Sequence, residues 1–460
     1  MIKVNESYWQ KTAQKQVYPK INQNKKCDVV IIGGGLTGIS LAYRLKDCGL
    51  KVIVLEEKEI GSQTSGHTTA KITFLHDLIY TYLNEYYSYH IAKKFFLSNK
   101  EAMNDIETII EKEKIACDYY KNENVLYTFK KENVIKLKQE KELLESFGVK
   151  VKENVIKNAL YSISIDNQAI FHPLKYLYAL ASLCRKDGIE IYENSQVKKI
   201  HRMKEEFLID VNSYQVQCSD VVHATRYPFV YKGLYFMKVM AKREYVQYGI
   251  CENQDRRSLL CVDKKSISQR PVGNGLLEIG KNEVKNPIRW FAMDSETLRL
   301  IPYIGKLSKK RNEYIAFGYR KWGMSLSHVA SKIIYDDLLE KENKYKALYE
   351  NHYCSLSLIK KQLPLFMKDI KKGMIDNHFP PSKKLKNNEG AVMKIDGELI
   401  AVYKDNHGKC HYMNPYCPHF KCIVQFNNKT KTWDCPCHGS TYDAYGKLIN
   451  GPSLKNLNNK

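Results

Sequence analysis

The sequence predicts a large α/β domain joined to a mixed α+β domain, followed by a small all-β domain. Three observations lead to this prediction. Near the amino end, an apolar strand-type run breaks into closely spaced glycines, and a helical pattern follows. Alternating strand-type patterns recur between 188 and 283. The segment 389–460 combines a hairpin signal at Asp396-Gly397 with two short clusters of cysteine and histidine.

The glycine-rich run has the order of a dinucleotide-binding unit. Residues 27–38 read CDVVIIGGGLTG, in which Gly33, Gly35 and Gly38 have G-x-G-x-x-G spacing. The first glycine allows a tight turn, the second lets the backbone approach a pyrophosphate, and the third lets the helix pack closely. A second apolar strand then ends on Glu56, at the offset of a ribose-binding carboxylate. This complete order predicts a Rossmann-type site, and a glycine-rich turn without a ligand is the alternative.

The bound dinucleotide is predicted to be FAD. The fingerprint itself suits FAD or NAD, because both present a pyrophosphate to a helix N-terminus. The sequence contains one such fingerprint, whereas a flavin enzyme that uses a nicotinamide usually needs a second site. In addition, the stretches 61–73, 168–181, 221–229 and 316–325 resemble the D-amino-acid-oxidase superfamily of FAD-dependent oxidoreductases, and the resemblance covers most of residues 5–345.

This resemblance implies an FAD-binding domain joined to a substrate domain. It assigns further flavin contacts to the following residues: Thr68, Thr69, Gly318, Trp322, Gly323 and Met324. It also places four residues in segments that face the substrate, although a structural role suits each equally well: Arg243, Arg289, Trp290 and Asp294. The sequence identifies no catalytic base.

Three other residues in these segments have two interpretations each. His172 precedes Pro173 at a helix start, where capping or packing is favoured over catalysis. His67 is a candidate covalent tether, but a noncovalent flavin is favoured. Lys321 either adds positive charge near the flavin or is a surface lysine.

Two motifs near the carboxyl end, CPHFKC and CPCHGS, contain metal-binding side chains. The four candidate ligands are Cys417, His419, Cys435 and His438. They suit one tetrahedral zinc ion, or a Rieske [2Fe–2S] cluster with both cysteines on one iron and both histidines on the other. Each motif contains a second cysteine, Cys422 or Cys437, which a zinc site does not need. The spare pair favours the cluster.

Residues 389–460 resemble the Rieske family. The resemblance implies a disulfide between Cys422 and Cys437. It also implies hydroxyl groups of Ser440 and Tyr442 that hydrogen-bond the cluster and a ligand sulfur, which predicts a potential toward the upper part of the Rieske range. Both ligand histidines are expected near the surface. The sequence departs from the family at Phe420-Lys421, where Leu-Gly is more usual.

The predicted organisation is an α/β Rossmann-type FAD-binding domain with a mixed α+β substrate domain, followed by a small all-β Rieske domain. The expected segments are an N-terminal arm at 1–25, an FAD-dependent oxidoreductase domain at 26–345 with a helical insertion at 77–148, a linker at 346–388 and a Rieske domain at 389–460. The whole resembles bacterial FAD-dependent oxidoreductases with a fused Rieske domain.

Composition narrows the class of partner and compartment. The formal net charge is +23, but lysine is spread along the chain and no nucleic-acid motif appears, so a nucleic-acid partner is not expected. A positive field would steer an acidic electron-transfer protein toward the chain. We expect no membrane span, since no apolar run is long enough, and a cytoplasmic location, since most of the 13 cysteines are scattered singly.

These features predict a flavin and iron–sulfur oxidoreductase. It would couple two-electron oxidation of a small substrate, amine or amino-acid-like, at FAD to one-electron transfer through the cluster and a donor or acceptor protein. Electron flow in the reverse direction uses the same parts. The alternative is a non-catalytic electron carrier or redox sensor with no small-molecule substrate.

Overall fold

The structure is a computed structural model that describes residues 5–226, 235, 238–251, 255–263, 267–280, 284–308, 311–350, 355–364 and 384–460. Contacts between residues divide the chain into two units. Unit 1 comprises Met1–Arg226, Glu244–Asp294 and Leu300–Ser355. Unit 2 comprises Tyr227–Arg243, Ser295–Arg299 and Leu356–Lys460.

Helices occur mainly in unit 1. They are α1 (Tyr8–Thr12), α2 (Leu36–Leu45), α3 (Ile79–Tyr86), α4 (Tyr89–Lys112), α5 (Lys131–Ser146), α6 (Pro173–Lys186), α7 (Gly323–Leu338) and α8 (Lys346–Tyr349). A 3₁₀ turn spans Thr64–Gly66, and residues 356–364 of unit 2 are also helical. Among the described residues, no helix has the length and apolar character needed to cross a membrane.

The strands of the described residues form five sheets. In chain order they are β1 (Lys25–Lys26), β2 (Val29–Ile32), β3 (Val52–Leu55), β4 (Lys71–Ile72), β5 (Tyr120–Thr128), β6 (Lys152–Glu153), β7 (Tyr161–Ile170), β8 (Glu190–Tyr192), β9 (Val197–Arg202), β10 (Phe207–Val211), β11 (Tyr214–Cys218), β12 (Asp220–His223) and β13 (Val239–Ile250). They continue as β14 (Ser258–Cys261), β15 (Ser268–Val272), β16 (Gly275–Ile279), β17 (Lys285–Thr297), β18 (Tyr303–Ser308), β19 (Arg311–Phe317), β20 (Glu389–Ile395), β21 (Glu398–Lys404), β22 (Cys410–Met413), β23 (Gln425–Asn427), β24 (Thr432–Asp434), β25 (Thr441–Asp443) and β26 (Leu448–Asn450).

The predicted nucleotide fold is built on a six-stranded sheet with the order β18-β19-β12-β2-β3-β8. Strands β19, β12, β2, β3 and β8 are parallel, and β18 is antiparallel to β19. All residues of β2 and β3 are buried, as expected of central parallel strands with both faces covered. Helix α2 connects these two strands, so the predicted β-α-β unit is present. A four-stranded sheet, β1-β11-β10-β9, is also part of unit 1.

A nine-stranded sheet follows the order β17-β13-β16-β15-β14-β5-β7-β4, with β6 paired to β7. The stretch 77–148, expected as a helical insertion, contains α3, α4 and α5, but it also contains β5. This strand is antiparallel to β7 and parallel to β14, in the middle of the sheet. The expectation missed β5 because its pairing partners lie far away in sequence.

The small β part of unit 2 consists of the sheets β20-β21-β22 and β23-β24-β25-β26. The predicted hairpin is confirmed, since Ile395 pairs with Glu398 around a two-residue turn. Asp396 and Gly397 have φ of 50° and 84°, as the turn requires. The core includes fully buried Trp433 and Tyr442, with the candidate ligands Cys417 and Cys435 beside them.

A buried carboxylate links two sheets of unit 1. Glu313 on β19 accepts two hydrogen bonds from Arg202 on β9, at 2.6 and 2.8 Å, and its Oε1 lies 3.0 Å from Nε2 of His223 on β12. Burial by itself would raise the pKa of Glu313, but the hydrogen bonds from His223 and Arg202 outweigh it and lower the pKa to about 2. The carboxylate is therefore charged and paired at neutral pH.

We expect Glu313→Gln to lower the free energy of unfolding by about 3 kcal/mol, because it leaves Arg202 without its buried partner. The folded pKa lies below the unfolded value of about 4.3, so the carboxylate contributes stability that is present above that pH and is lost as pH falls toward about 2. Urea unfolding of the full chain at several pH values measures this effect. As pH falls, the free energy of unfolding should decrease more steeply for the unchanged protein than for Glu313→Gln.

The matched control is Asp210→Asn, since Asp210 is partly exposed and pairs with His201 on the surface. Its effect should stay within about 0.5 kcal/mol. If the free energy of unfolding decreased equally at low pH in the unchanged protein and in Glu313→Gln, the role assigned to Glu313 would be contradicted.

Candidate functional site

Two of the three fingerprint glycines, Gly33 and Gly38, lie where a Cβ would collide with the backbone. Gly33 follows β2 with φ of +113°, and a Cβ there would lie 2.7 Å from the carbonyl oxygen of Ala224. A Cβ on Gly38 would lie 2.0 Å from the carbonyl oxygen of Gly33, so α2 packs directly on the turn. Gly35 is the N-cap residue of α2, and a Cβ there would lie 3.0 Å from Ser65 Oγ. Such a cradle fits a pyrophosphate.

Glu56 lies at the carboxyl end of β3, against this turn. Its carboxylate accepts hydrogen bonds from the backbone N–H of Gly34 at 2.7 Å and of Lys58 at 2.9 Å. Burial raises the pKa of Glu56 to about 7, although both backbone hydrogen bonds oppose the shift. The carboxylate thus has the position beside the glycine turn that the ribose-binding role requires, and the role itself remains a prediction.

The segment containing Thr68 and Thr69 is held in place by side chains that donate hydrogen bonds to its backbone carbonyl groups. The Thr68 carbonyl oxygen accepts from the indole of Trp9 on α1 at 2.7 Å, and the Thr69 carbonyl oxygen accepts from Arg270 on β15 at 3.0 Å. Arg270 is buried and donates to the Ala70 carbonyl as well. Both threonine side chains are partly buried. The residues predicted to contact flavin therefore lie on a loop fixed from two sides.

The last predicted FAD segment leads into α7. Gly318 has φ of +85° and ends β19, and the Tyr319 hydroxyl lies 2.9 Å from Thr37 Oγ1 in the first turn of α2. This contact joins the starts of α2 and α7. Trp322 is the N-cap residue of α7 without a capping side-chain bond, and Gly323 and Met324 form its first turn. Two helix N-termini, each with N–H groups that lack intrahelical acceptors, thus meet near the fingerprint.

Several candidates from the sequence have structural partners. His172 is the N-cap of α6 and accepts from the Lys175 N–H, which confirms the capping interpretation. The two ring nitrogens of His67 lie 2.7 and 2.8 Å from carbonyl oxygens of Gln63 and Asn5, an arrangement that favours a noncovalent flavin. Lys321 pairs with Glu244.

The four residues expected to face substrate also have partners. Arg289 donates to Gln247 at 3.1 Å, and the Trp290 indole donates to the His67 carbonyl at 2.9 Å. Asp294 accepts from the backbone N–H of Lys321. Arg243 belongs to unit 2 and contacts the metal-ligand region instead. The stretch 221–229 is described only to Arg226.

The two Cys-Pro loops have matching backbones. In one, Lys421 N–H donates to the Cys417 carbonyl at 2.9 Å; in the other, Gly439 N–H donates to the Cys435 carbonyl at 3.0 Å. Lys421 and Gly439 have φ of 57° and 75°, so both turns use the left-handed region. Lysine adopts this conformation at a cost of about 1 kcal/mol relative to glycine. The departure noted at Lys421 therefore keeps the loop geometry but strains it.

The loops bring the four candidate ligands together. The thiols of Cys417 and Cys435 hydrogen-bond each other, and the rings of His419 and His438 lie 5.0 Å apart and nearly perpendicular. The hydrogen bond from Cys435 lowers the pKa of Cys417 to about 6 and raises that of Cys435. Burial lowers the pKa of His419 to about 4. A thiolate at Cys417, a second sulfur at Cys435 and the neutral imidazole of His419, with His438 beside it, fit a metal centre.

Two hydroxyl groups lie at the Cys417 sulfur, whereas the resemblance implied one at a ligand sulfur and one at the cluster itself. Tyr442 Oη lies 3.1 Å from Cys417 Sγ, and Ser440 also hydrogen-bonds this sulfur. Ser440 Oγ accepts from the Ser453 N–H at 3.0 Å, so the chain beyond Gly451 closes over the loop.

The expected disulfide is present between Cys422 and Cys437, with a Cα–Cα distance of 6.4 Å. The Cys435 sulfur lies within 4.8 Å of both bridge sulfurs. Because metal ligation requires a thiolate, the bridged pair is not part of the ligand set. The bridge joins the two ligand loops covalently.

Exposure of the histidines differs from the expectation that both lie near the surface. His419 is partly buried, whereas His438 is only 2% exposed. Phe420 lies beside His438 with ring centroids 5.8 Å apart and is itself 39% exposed. The aromatic ring, rather than His438, therefore faces the solvent.

Two residues at these sites make contacts that the sequence did not predict. Within unit 2, Arg243 donates to Asp434 and, at 2.6 Å, to Thr441 Oγ1. Asp434 immediately precedes Cys435, so Arg243 anchors a ligand loop. The second residue is His76, which stacks on Trp322 with ring centroids 4.5 Å apart. No local sequence motif predicts the Arg243 or the His76 contact, because each contact joins residues that are far apart in the chain.

Two family models match the chain. One, described as FAD dependent oxidoreductase, matches residues 28–236, and the other, described as Rieske [2Fe-2S] domain, matches residues 378–459. The second match decides against a zinc site, which the sequence had left as an alternative.

Curated relatives match the whole chain or one of its parts. A Bacillus subtilis (strain 168) protein, named as the Rieske 2Fe-2S iron-sulfur protein YhfW, is 27% identical over 494 residues, or 98% of this chain and 97% of its own. Gamma-glutamylputrescine oxidoreductase of Escherichia coli (strain K12) is 27% identical over 205 residues, 42% of this chain and 48% of its own. Iron-sulfur subunit 1 of the Nostoc sp. cytochrome b6-f complex is 47% identical over 65 residues, which cover 14% of this chain and 36% of its own.

Solved structures show the same flavoenzyme fold. Glycine oxidase from Geobacillus kaustophilus has a TM-score of 0.59 at 15% identity, covering 72% of this chain and 99% of its own. L-proline dehydrogenase from P. horikoshii has a TM-score of 0.59 at 15% identity, covering 74% of this chain and 99% of its own. These likenesses confirm the predicted fold class. The chain is therefore an oxidoreductase that joins an FAD-dependent domain of the D-amino-acid-oxidase type to a C-terminal Rieske [2Fe–2S] domain.

Proposed function

We propose that the chain oxidises a small amine or amino-acid-like substrate at FAD and delivers the electrons one at a time, through the Rieske cluster, to a one-electron acceptor protein. The observation that carries this proposal is the presence of both redox domains in one chain. FAD supplies two-electron chemistry and the cluster supplies one-electron transfer. A chain that holds both is suited to convert one into the other.

The substrate class is inferred from similar proteins. Glycine oxidase, L-proline dehydrogenase and gamma-glutamylputrescine oxidoreductase each carry a small amino compound in their names. The basic net charge of +23 favours an acidic acceptor protein, because a positive field speeds the encounter.

On the flavin side, we assign pyrophosphate binding to Gly33, Gly35 and Gly38 and ribose binding to Glu56. The remaining proposed FAD contacts are Thr68, Thr69, Gly318, Trp322, Gly323 and Met324. The glycine backbone approaches without steric hindrance, and the helix N-terminus offers N–H donors to negative charge. The N-terminus of α7, which lies beside that of α2, offers a second partial positive charge to the flavin ring.

On the cluster side, we assign the iron ligands as Cys417, His419, Cys435 and His438. Tyr442 and Ser440 donate hydrogen bonds to the Cys417 sulfur and thereby stabilise added negative charge. Arg243 holds the loop before Cys435 through Asp434, and the Cys422–Cys437 bridge holds the other side. These residues orient the ligands and limit water near them.

The test of the function is anaerobic mixing of the purified full chain with a panel of small amines and amino acids. We expect one of them to bleach the flavin absorbance and to produce the EPR signal of the reduced cluster, with iron rather than zinc in metal analysis. Cys417→Ala provides the matched control: flavin bleaching should persist, while the EPR signal should be absent. A flavin that no compound of the panel bleaches would instead favour a non-catalytic electron carrier.

We expect Tyr442→Phe to lower the midpoint potential of the cluster by roughly 40 mV, the one-electron equivalent of a hydrogen bond of about 1 kcal/mol. The oxygen that lies 3.1 Å from Cys417 Sγ is removed while the ring remains. Spectroelectrochemical titration measures the shift.

Tyr412→Phe is the control for this titration, because Tyr412 belongs to the same unit but is 45% exposed. Its potential should equal that of the unchanged protein. An unchanged potential in Tyr442→Phe would show that this hydroxyl does not tune the cluster.

A further inference from the structure

Five successive carbonyl groups, from Gly66 to Ala70, accept hydrogen bonds from side chains outside their own loop. In chain order, Gly66 accepts from Ser7, His67 from Trp290, Thr68 from Trp9, and Thr69 and Ala70 from Arg270. Two of these donors, Ser7 and Trp9, belong to the segment 5–12 of the N-terminal arm. The loop to which flavin contacts are assigned is therefore held partly by the arm.

The segment 5–12 is itself anchored to the rest of unit 1. The side-chain amide of Asn5 forms two hydrogen bonds with the backbone of Phe291 on β17, at 2.6 and 3.2 Å. At the other end of the segment, Thr12 Oγ1 lies 3.0 Å from Nε2 of His172 on α6. Trp9 lies between these anchors and is fully buried. Its indole N–H is therefore a donor with a fixed position beside the loop.

The hydrogen bonds to the loop carbonyl groups also set the direction of its N–H groups. In a planar trans peptide, the carbonyl of one residue and the N–H of the next point in opposite directions. The bond from Trp9 to the Thr68 carbonyl, at 2.7 Å, therefore directs the Thr69 N–H away from Trp9. The bond from Trp290 to the His67 carbonyl, at 2.9 Å, directs the Thr68 N–H away from Trp290 in the same manner.

These two N–H groups are available to a ligand. Thr68 and Thr69 are only partly buried. Among the residues that the structure describes, neither N–H has a hydrogen-bond acceptor. The carbonyl groups of the loop are thus engaged by the protein, whereas two adjacent donors are not.

We propose that Trp9 and Ser7 are positioning residues for FAD: they hold the loop so that the N–H groups of Thr68 and Thr69 donate to acceptor atoms of the cofactor. This role rests on the flavin contacts assigned under the proposed function, but it needs neither the substrate nor the cluster. The match to the FAD dependent oxidoreductase model begins at residue 28, so the arm lies outside the matched region. Cofactor retention would then depend on an element that precedes the nucleotide fold.

Two substitutions in the arm remove one donor to the loop each. Trp9→Phe removes the indole N–H and keeps a buried aromatic ring, and Tyr8→Phe, which changes the neighbouring aromatic residue, is its control. Ser7→Ala removes the donor to Gly66, but it also weakens the cap of α1. Gln10→Ala is the matched control for that loss, because it removes the other bond of the same capping box and leaves the loop contacts in place.

The first measurement is titration of the FAD-depleted full chain with FAD, followed by fluorescence quenching and by the absorption spectrum of the bound flavin. Trp9→Phe and Ser7→Ala should each bind FAD about 5- to 10-fold more weakly, the effect of losing one hydrogen bond, and Trp9→Phe should also shift the flavin absorption band. Tyr8→Phe and Gln10→Ala should stay within about twofold of the unchanged protein.

The second measurement needs no substitution. If docking of the arm strengthens FAD binding, FAD must strengthen docking of the arm by the same factor. Backbone hydrogen exchange of the segment 5–12 in the unchanged full chain should therefore slow about 5-fold or more when FAD is added. Helix α5, which makes no hydrogen bond to the loop, is the comparison and should slow less.

The proposal is overturned if Trp9→Phe and Ser7→Ala both keep the FAD affinity of the unchanged protein, even when they are less stable. It is equally overturned if the controls lose as much affinity, or if FAD does not slow exchange of the arm. Should a variant fail to fold, the exchange measurement decides. If no amine bleaches the flavin of the unchanged protein, the proposed function fails, and the FAD titration still decides the role of the arm.

Discussion

The close approach of α2 to the turn after β2 is the constraint on which the flavin side of the molecule depends. A Cβ at Gly38 would lie 2.0 Å from the carbonyl oxygen of Gly33, so the helix start can lie against the turn only if position 38 lacks a side chain. This placement brings Gly34 N–H to Glu56 and Leu36 N–H to Ser65. Through Thr37 and Tyr319 it also fixes the start of α7. Several long-range contacts therefore follow from one steric condition.

The metal side depends on a different kind of constraint. Its ligands lie on loops, and loops of this length are not ordered by regular hydrogen bonding alone. Here each loop closes through a backbone hydrogen bond between residues four positions apart in sequence. The Cys422–Cys437 bridge then joins the two loops. The strained Lys421 conformation is tolerated because these bonds determine the turn. Arg243 then fixes the strand end at Asp434, so the ligand loop is anchored at both ends.

Much of this arrangement was predictable where the signal is local. The glycine spacing defined the β-α-β unit, Asp396-Gly397 defined a hairpin, and the two Cys-Pro motifs indicated the cluster domain. Strand β5 was not predicted, because its partners β7 and β14 come later in the chain and its flanks are strongly helical. For Arg243 a substrate-facing and a structural role stayed equally open for a related reason: its hydrogen bond to Asp434 spans 191 residues, and no spacing rule reaches that far.

The buried histidines show why burial by itself does not identify function. Burial lowers the pKa of His76 to about 3 and that of His172 and His419 to about 4, so all three are neutral. Yet His172 contacts a partner through each ring nitrogen and caps a helix. His419 lies beside His438 and the paired thiols, where a neutral imidazole suits iron. His76 donates from Nε2 to the Thr73 carbonyl oxygen at 2.7 Å and stacks on Trp322. The chemistry is therefore decided by what faces each nitrogen, because all three rings have the same charge.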